Sequence, residues 1–162
     1  MVSQGSSQPV SAERRLRNLG IVLPNAPHPL GAYLESVQSG NLLFLSGMLP
    51  IKDGKPQYIG RLGKELDADA GRDALRTATL NALSAAKEHL GSLDRVAKVV
   101  RVGVYLATYG DFYNQPIVAD AASELLRDVF GEGKTSVRSV FGVASLPLGV
   151  PVILEVVFEV GN

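Results

Sequence analysis

The sequence contains no cysteine, and this absence excludes several kinds of chemistry at once. Without a thiol the chain can form no disulfide, no thiolate nucleophile and no zinc–thiolate site. Its two histidines are too few for a histidine-rich metal centre. We therefore expect a protein without metal or cofactor. The lack of cysteine also fits a reducing compartment, and we expect a cytoplasmic location.

The chain also lacks an excess of charge of either sign, because sixteen basic residues balance sixteen acidic ones. No strong uniform field draws in nucleic acid or an anionic membrane, and aromatic residues make up only 6% of the chain. No apolar run approaches the roughly 18 residues of a membrane span. The first residues lack the charged and apolar regions of a secretory signal. We expect a soluble protein with neither a nucleic acid nor a membrane as partner.

A length of 162 residues with 46% hydrophobic residues fits one domain with a core of its own. Residues 1–10 are rich in serine, glutamine and glycine and are predicted to form a flexible tail. Residues 11–162 are predicted to form a single domain that opens with a short helix. Ser11 can cap that helix and Gly20 can end it.

Hydrophobic periodicity and turn residues predict five strands and two further helices in the order β-β-α-β-α-β-β. The helices are expected from Asp67 or Asp69 to Leu90, and from Pro116 to Phe130. A turn at 39–41 joins the first two strands, and a polar loop around 50–55 follows them. The order suggests an α+β fold with hairpins at both ends. The strands are expected at Tyr33–Gln38, Leu42–Ser46, Val96–Ala107, Val137–Ala144 and Val152–Val160.

Both helices are expected on one face of a single sheet, where an alanine-rich stripe of the long helix lets it lie close to the strands. In the last strand, valine, leucine and phenylalanine alternate with a second set of side chains that belongs to the other face. That open face mixes apolar and charged groups, which indicates an oligomer interface. It is predicted to carry Arg101, Tyr105, Ile153, Glu155 and Val157.

Several local motifs have simpler explanations than catalysis. Gly131–Thr135 ends like a phosphate-binding loop, but it follows a helix and has Asp128 where that motif needs glycine. A nucleophile elbow at Ser46 would need glycine two residues earlier, where Phe44 stands. Neither histidine has a context that makes it the base for Ser46.

Six segments follow one another along the chain: Gly31–Tyr33, Ser46–Pro50, Gly91–Val96, Val137–Ser139, Leu146–Pro147 and the closing strand with Glu155. In this order they resemble the YjgF/RidA family, also called the Rid or L-PSP family, from about Pro29 to the C-terminus. The N-terminal extension suggests a longer, divergent branch. The resemblance implies a chorismate-mutase-like fold with a mixed sheet, assembled as a homotrimer around a central barrel, with sites in clefts between subunits.

Well-characterised members of the family hydrolyse enamines and imines to 2-oxo acids and ammonia. By resemblance, Arg138 clamps the substrate carboxylate, for which its planar fork is suited. Tyr33 and Ser46 match positions that line the pocket, and the backbone carbonyl of Val140 matches one that accepts from the substrate nitrogen. Arg138 could instead form an interface ion pair, for example with Glu155.

Two positions depart from the family pattern. Active deaminases carry a water-orienting glutamate where this chain has Ile153, and Glu155 follows two residues later on the same strand face. Glu155 is therefore the candidate that could replace the missing acid, by a shift or another substrate pose. Asp120 stands where many members have asparagine, and a carboxylate there would repel an anionic substrate unless it faces away.

Three functions follow from these residues. The first is an enamine/imine deaminase that acts on small carboxylate-bearing substrates, with Arg138 and Glu155 as catalytic residues. The second is a non-catalytic protein that binds a small carboxylate such as a 2-oxo acid in the intersubunit cleft. The third and least favoured is an endoribonuclease, since the chain has no basic stripe for RNA.

Overall fold

The computed structural model of the protein describes residues 8–162, so most of the predicted N-terminal tail lies outside the described residues. The first helix, α1, spans Ala12–Asn18. Its cap is the predicted one, because the Ser11 side chain accepts a hydrogen bond from the backbone N–H of Arg14. Ala12 and Leu16 are buried on its inner side and join the main core.

The central feature is a sheet of five strands in the order β1-β2-β7-β5-β6. Its long central strands β5 and β7 are antiparallel, whereas β5 and the edge strand β6 are parallel. A small second sheet pairs β3 with β4. The strands are β1 (Ser36–Ser39), β2 (Leu42–Leu45), β3 (Ile51–Lys52), β4 (Lys55–Pro56), β5 (Val96–Ala107), β6 (Val137–Val143) and β7 (Val152–Val160).

The predicted hairpin at the C-terminal end is wrong, because β6 and β7 lie on opposite sides of β5. The helix between β5 and β6 forms a crossover, which makes those two strands parallel neighbours. The chain then passes to the other edge of β5, where β7 closes the sheet against β2. The N-terminal hairpin of β1 and β2 is confirmed.

The two main helices are α2 (Ala68–Leu90) and α3 (Gln115–Phe130), and they pack against each other and against the sheet. Asp67, rather than Asp69, caps α2, since its side chain accepts from the N–H of Ala70. Gly91 ends the helix in the left-handed region, as expected. The alanine stripe of α2 is buried, which lets the helix approach its neighbours closely.

Smaller boundaries differ from the sequence-based expectations. β1 begins at Ser36 rather than Tyr33, because residues 30–33 form a tight turn in which the Tyr33 hydroxyl accepts from the N–H of Leu30. The predicted polar loop after β2 contains the β3–β4 hairpin, whose turn has Asp53 and Gly54 at positive φ. Short polar segments give too weak a pattern to show a two-residue strand.

The two faces of the sheet differ in how far their side chains are buried. On the face toward α2 and α3, Val102, Leu154 and Phe158 are all fully buried. On the other face, called the open face from here on, Phe44 and Phe141 remain 44% and 48% exposed. The predicted alternation along β7 is confirmed, with Ile153, Glu155 and Val157 in register with open-face residues of β5. No helix in residues 8–162 is long and apolar enough to cross a membrane.

Candidate functional site

The two residues predicted to be catalytic lie on opposite faces of the sheet of one chain. Arg138 is in register with Val102, whose side chain is buried on the helix face. Glu155 is in register with Gly103, the next residue of β5, and so belongs to the open face. Since successive side chains of a strand point to opposite faces, one chain does not bring the two groups together.

Arg138 lies on the edge strand and reaches across to α3. Its Nη1 donates to Asp120 Oδ1 at 2.8 Å and to Ser123 Oγ at 3.1 Å. Asp120 and Ser123 are three residues apart on α3, so they share one helix face. Within one chain the ion pair is therefore with Asp120, and the interface pair with Glu155 considered from the sequence stays a prediction. Sequence reasoning missed Ser123, although its spacing from Asp120 was a signal for it.

The Arg138 guanidinium keeps much of its donor capacity. Its side chain is 26% exposed, and Nη1 is its one hydrogen-bonded nitrogen among residues 8–162. Nε and Nη2 thus form an edge that can bind both oxygens of a carboxylate. Val140 lies two residues along β6 and packs its side chain against the core. The role of its backbone carbonyl stays a prediction.

Glu155 lies over Gly103 on the open face. A Cβ at position 103 would come within 3.3 Å of Glu155 Oε2, so the glycine leaves room for the carboxylate. The Tyr105 hydroxyl donates to Glu155 Oε2 at 3.2 Å. Burial, together with the charge and hydrogen bond of Glu155, raises the pKa of Tyr105. The phenol therefore stays protonated at neutral pH and acts as a donor that fixes the carboxylate.

Tyr105 is a residue whose role sequence reasoning missed. It was placed on the open face, but not as a partner of Glu155. Its ring stacks on Phe141 with the centroids 5.7 Å apart, which restricts the direction of the hydroxyl. The alternation of side chains along β5 and β7 is a signal that Tyr105 and Glu155 share one face of the sheet. Only the register between the two strands shows that they are neighbours.

Ile153 stands, by the resemblance, at the strand position where the family pattern has its acid. It is in register with Tyr105 and packs against Gly47, where a Cβ would come within 2.9 Å of Ile153 Cγ2. An apolar side chain thus fills the space between the segment after β2 and the centre of the sheet. The carboxylate of Glu155 reaches toward Gly103 and the Tyr105 hydroxyl, and whether it takes the role of the missing acid stays a prediction.

Tyr33 and Ser46 both make their hydrogen bonds to residues 30–35, the segment directly before β1. Ser46 Oγ donates to the backbone carbonyl of Leu34 at 2.5 Å, and the N–H of Ser46 donates to the carbonyl of Glu35. The Tyr33 hydroxyl oxygen accepts from the N–H of Leu30, which leaves its own proton free to donate. Tyr33 is thus adjacent in sequence to Leu34, whose carbonyl fixes the Ser46 side chain.

A hollow of about 680 Å³ lies elsewhere, at the starts of α2 and α3. Residues such as Lys64, Asp67, Phe112 and Asn114 line it, and none of the predicted site residues does. Within residues 8–162 there is also no group of three or more histidine, aspartate or glutamate side chains that could hold a metal ion. Of the predicted residues, Arg138 and Asp120 thus lie on the helix side of the sheet, whereas Ile153 and Glu155 lie on the open face.

Comparisons with known proteins identify the family. Residues 13–160 match the model of the family described as "YjgF/chorismate mutase-like, putative endoribonuclease". Protein TCP17 of Trypanosoma cruzi is 39% identical over 91% of this chain and 92% of its own length. The 2-iminobutanoate/2-iminopropanoate deaminase of Dermatophagoides farinae is 29% identical over 83% of this chain and 91% of its own.

A solved structure agrees with this assignment. The crystal structure of a Shewanella oneidensis protein named "putative endoribonuclease" aligns with a TM-score of 0.89 and 31% identity. The alignment covers 93% of this chain and all of that one. With a family model matched over nearly the whole chain and a fold shared throughout, this protein belongs to the YjgF/RidA family.

Proposed function

We propose that this protein hydrolyses small enamines or imines that carry a carboxylate, giving a 2-oxo acid and ammonia. The observation that carries the proposal is the Arg138 guanidinium, which is fixed by α3 through Nη1 while Nε and Nη2 remain available. A planar donor pair at a partly exposed position suits a carboxylate ligand. The deaminase name of the Dermatophagoides relative supports the same reaction type.

The site would form between two copies of the chain. The open face exposes Phe44, Phe141 and Val137, the last by 71%, and a chain that stays alone would leave this apolar surface in water. In the homotrimer that the family resemblance implies, such faces cover one another. The Arg138 edge of one copy would then meet the Glu155 face of its neighbour, which explains why one chain keeps the two groups apart.

The proposed reaction needs few catalytic groups from the protein. The enamine tautomerises to the imine, and water then forms a C–O bond to the imine carbon while the C=N π electrons move to nitrogen, which takes up the proton that the water releases. The resulting carbinolamine loses ammonia as its C–N bond breaks and its hydroxyl gives up a proton. Arg138 would hold the carboxylate, and Glu155, fixed by Tyr105, offers the open-face carboxylate that could accept a hydrogen bond from the water.

The test is the release of 2-oxo acid from 2-aminoacrylate and 2-aminocrotonate, produced in situ by a serine/threonine dehydratase. We expect the protein to accelerate release, and Arg138→Ala to abolish the acceleration. Arg72→Ala is the matched control, because Arg72 forms a similar ion pair with Glu124 on the same helix α3. Equal activity of wild type and Arg138→Ala would refute the clamp, and no acceleration by wild type would refute the deaminase.

One observation favours a second candidate, a protein that binds a small carboxylate without turning it over. Ile153 packs against Gly47 at the position that, by resemblance, holds the water-orienting acid in active deaminases, and loss of a positioned acid or base typically costs about 10²–10⁴-fold in rate. Such a protein would bind 2-oxo acids through Arg138 and show no acceleration in the assay above. Calorimetric titration with 2-oxobutanoate, read beside the rate measurement, separates the two candidates.

A further inference from the structure

A serine and a histidine from distant parts of the chain meet at the outer edge of the sheet, on its helix side. Ser36 is the first residue of β1, and His89 lies in the last turn of α2. The Ser36 Oγ is 3.0 Å from His89 Nδ1. The second ring nitrogen, His89 Nε2, is 3.1 Å from Gln38 Oε1. One imidazole thus contacts a hydroxyl through one nitrogen and an amide oxygen through the other.

The hydrogen bonds of Gln38 fix the position of each proton in this chain of contacts. Gln38 Nε2 donates to the carbonyl of Gly40 at 3.1 Å, so Oε1 is the amide atom that faces the ring. Because an amide oxygen only accepts, the proton of the neutral imidazole is on Nε2. Nδ1 then carries a lone pair and accepts from the Ser36 hydroxyl. This is the arrangement in which a histidine removes the proton of a serine.

Other serines of the fold use their hydroxyls differently. Ser46 Oγ donates to the carbonyl of Leu34. Ser84 Oγ donates to the carbonyl of Pro24. A backbone carbonyl fixes a hydroxyl but does not take up its proton, whereas a neutral imidazole nitrogen does. Ser36 therefore differs from these two serines in having a base as its acceptor.

The backbone of β1 places a hydrogen-bond donor beside this hydroxyl. The N–H of Ser46 donates to the carbonyl of Glu35, so residues 35, 37 and 39 are the positions that hydrogen-bond to the neighbouring strand. The N–H of Ser36 thus points to the outer edge, where no further strand among residues 8–162 pairs with β1. In serine proteases the N–H of the nucleophile is one of the donors that stabilise the oxyanion.

We propose that Ser36 is a nucleophile that accepts the acyl group of small activated esters, with His89 as its general base and Gln38 as the residue that positions the histidine. The Ser36 oxygen bonds to the acyl carbon while its proton passes to His89 Nδ1. The bond from that carbon to the leaving group then breaks, and the leaving group takes the proton from His89. Water attacks the acyl-serine in the same way, which releases the acid and restores the serine hydroxyl.

The surroundings of Ser36 define the class of substrate. His89 and Gln38 are exposed, Ser36 is partly buried, and none of the three lines the hollow at the starts of α2 and α3. A site without an enclosing pocket gains little from substrate binding, so the ester itself has to be reactive. Short acyl groups on good leaving groups therefore fit this site. Its place on the helix side makes it independent of the deaminase proposed for the open face.

The experiment treats the full chain with a fluorophosphonate, which loses fluoride as its phosphorus bonds to an activated serine. We expect one label, located on Ser36 by peptide mass spectrometry, and Ser36→Ala should abolish it. His89→Gln should slow the labelling of Ser36 about 10²-fold, the lower end of what a general base contributes. His28→Gln is the matched control, because it removes the only other histidine, which is also exposed, and should leave the rate unchanged.

Two substitutions of Gln38 test its positioning role. Gln38→Leu removes the acceptor of the His89 Nε2 proton and should slow labelling about three- to tenfold. Gln38→Glu keeps an acceptor and adds a negative charge that stabilises the imidazolium, so labelling should be faster than in wild type. A purely structural role would slow labelling in both variants, because both lose the hydrogen bond to the Gly40 carbonyl.

Hydrolysis of 4-nitrophenyl acetate tests turnover. We expect wild type to release nitrophenol faster than Ser36→Ala and His89→Gln, with a transient acetyl group on Ser36. Release that persists in Ser36→Ala but falls in His89→Gln would make the histidine the nucleophile and overturn the proposal. No fluorophosphonate label on wild type, or equal labelling of Ser36 and the exposed Ser39, would overturn it as well. Melting temperatures show which variants are folded, and the location of the wild-type label does not depend on them.

Discussion

Strands β5 and β7 present two faces built from similar apolar side chains, yet the faces have opposite surroundings. On the helix face, Phe158 is fully buried and packs edge-on against Phe130 with ring centroids 5.7 Å apart. On the open face, Phe44 and Phe141 are nearly half exposed. The difference is the layer of two helices, which covers one face and leaves the other exposed.

The two faces also differ in the kinds of side chain that they carry. The helix face is uniformly apolar along β7, as a core that must pack without polar groups requires. The open face interrupts its apolar residues with Arg101, Tyr105 and Glu155, the last two joined by a hydrogen bond. The open face thus mixes charged and apolar groups, as the sequence predicted.

The largest expected effect is on the helix face. Phe158→Ala removes a fully buried ring and should lower the free energy of unfolding by about 3–5 kcal/mol. Phe44→Ala is the matched change on the open face, and it should cost the isolated chain much less because that ring already contacts water. Urea unfolding at one fixed protein concentration, combined with light scattering, measures both variants.

The same two variants test whether other copies of the chain cover the open face. Phe44→Ala should weaken the proposed trimer, so that its mass in light scattering falls toward the monomer on dilution. Phe158→Ala, where it remains folded, should keep the interface. An unchanged mass for Phe44→Ala and for the stronger change Phe44→Asp would show that the open face is not an interface between copies.

The next largest effect is expected at Ile153. Ile153→Glu places an acid at the position of the family's water-orienting glutamate, and we expect deaminase activity to rise about 10²-fold, the lower end of what a positioned acid or base contributes. The packing of Ile153 against Gly47 means that the longer side chain must turn toward Tyr105. Ile153→Gln controls for size, and a rise equal to that of Ile153→Glu would show that the carboxylate is not responsible.

The sequence predicted the faces of β7 well, because alternation with a period of two is a strong local signal. The limits of α2, α3, β5 and β7 followed similarly from periodicity and from glycine or proline at their ends. The order of strands did not follow, since the false hairpin of β6 with β7 depended on which edge of β5 each strand joins. Such long-range pairing has no local pattern.

The candidate site shows the same limit. Resemblance singled out Arg138, Glu155 and Asp120, but their arrangement depends on contacts far apart in the chain. That Arg138 and Glu155 lie on opposite faces follows from two strand registers, neither of which is readable from one sequence. The Asp120–Arg138 pair likewise joins a helix to an edge strand.

A smaller effect is expected where Tyr105 positions Glu155. Tyr105→Phe keeps the stack on Phe141 but removes the hydrogen bond to Glu155, and should lower kcat about three- to tenfold with little change in KM. Phe141→Leu disturbs the stack without touching the hydrogen bond and should have a weaker effect. A loss in Tyr105→Phe that appears wholly in KM would show that the tyrosine serves ligand binding rather than the position of the carboxylate.

The smallest effect is expected at Glu35, the residue directly before β1. Its backbone carbonyl holds Ser46, while burial, reinforced by Glu88 of α2, raises the pKa of its carboxyl despite the opposing charge of His28. The raised value means that the folded state favours the protonated form, so the stability from Glu35 is complete below about pH 4.5 and is lost as pH rises through the folded-state pKa. Glu35→Gln should therefore stabilise the protein more at pH 7 than at pH 3.5, by less than about 1 kcal/mol because solvent screens the site. Urea unfolding at the two pH values measures the difference. Glu88→Gln should give part of the same gain, and a larger gain for Glu35→Gln at pH 3.5 would contradict the direction of the pKa shift.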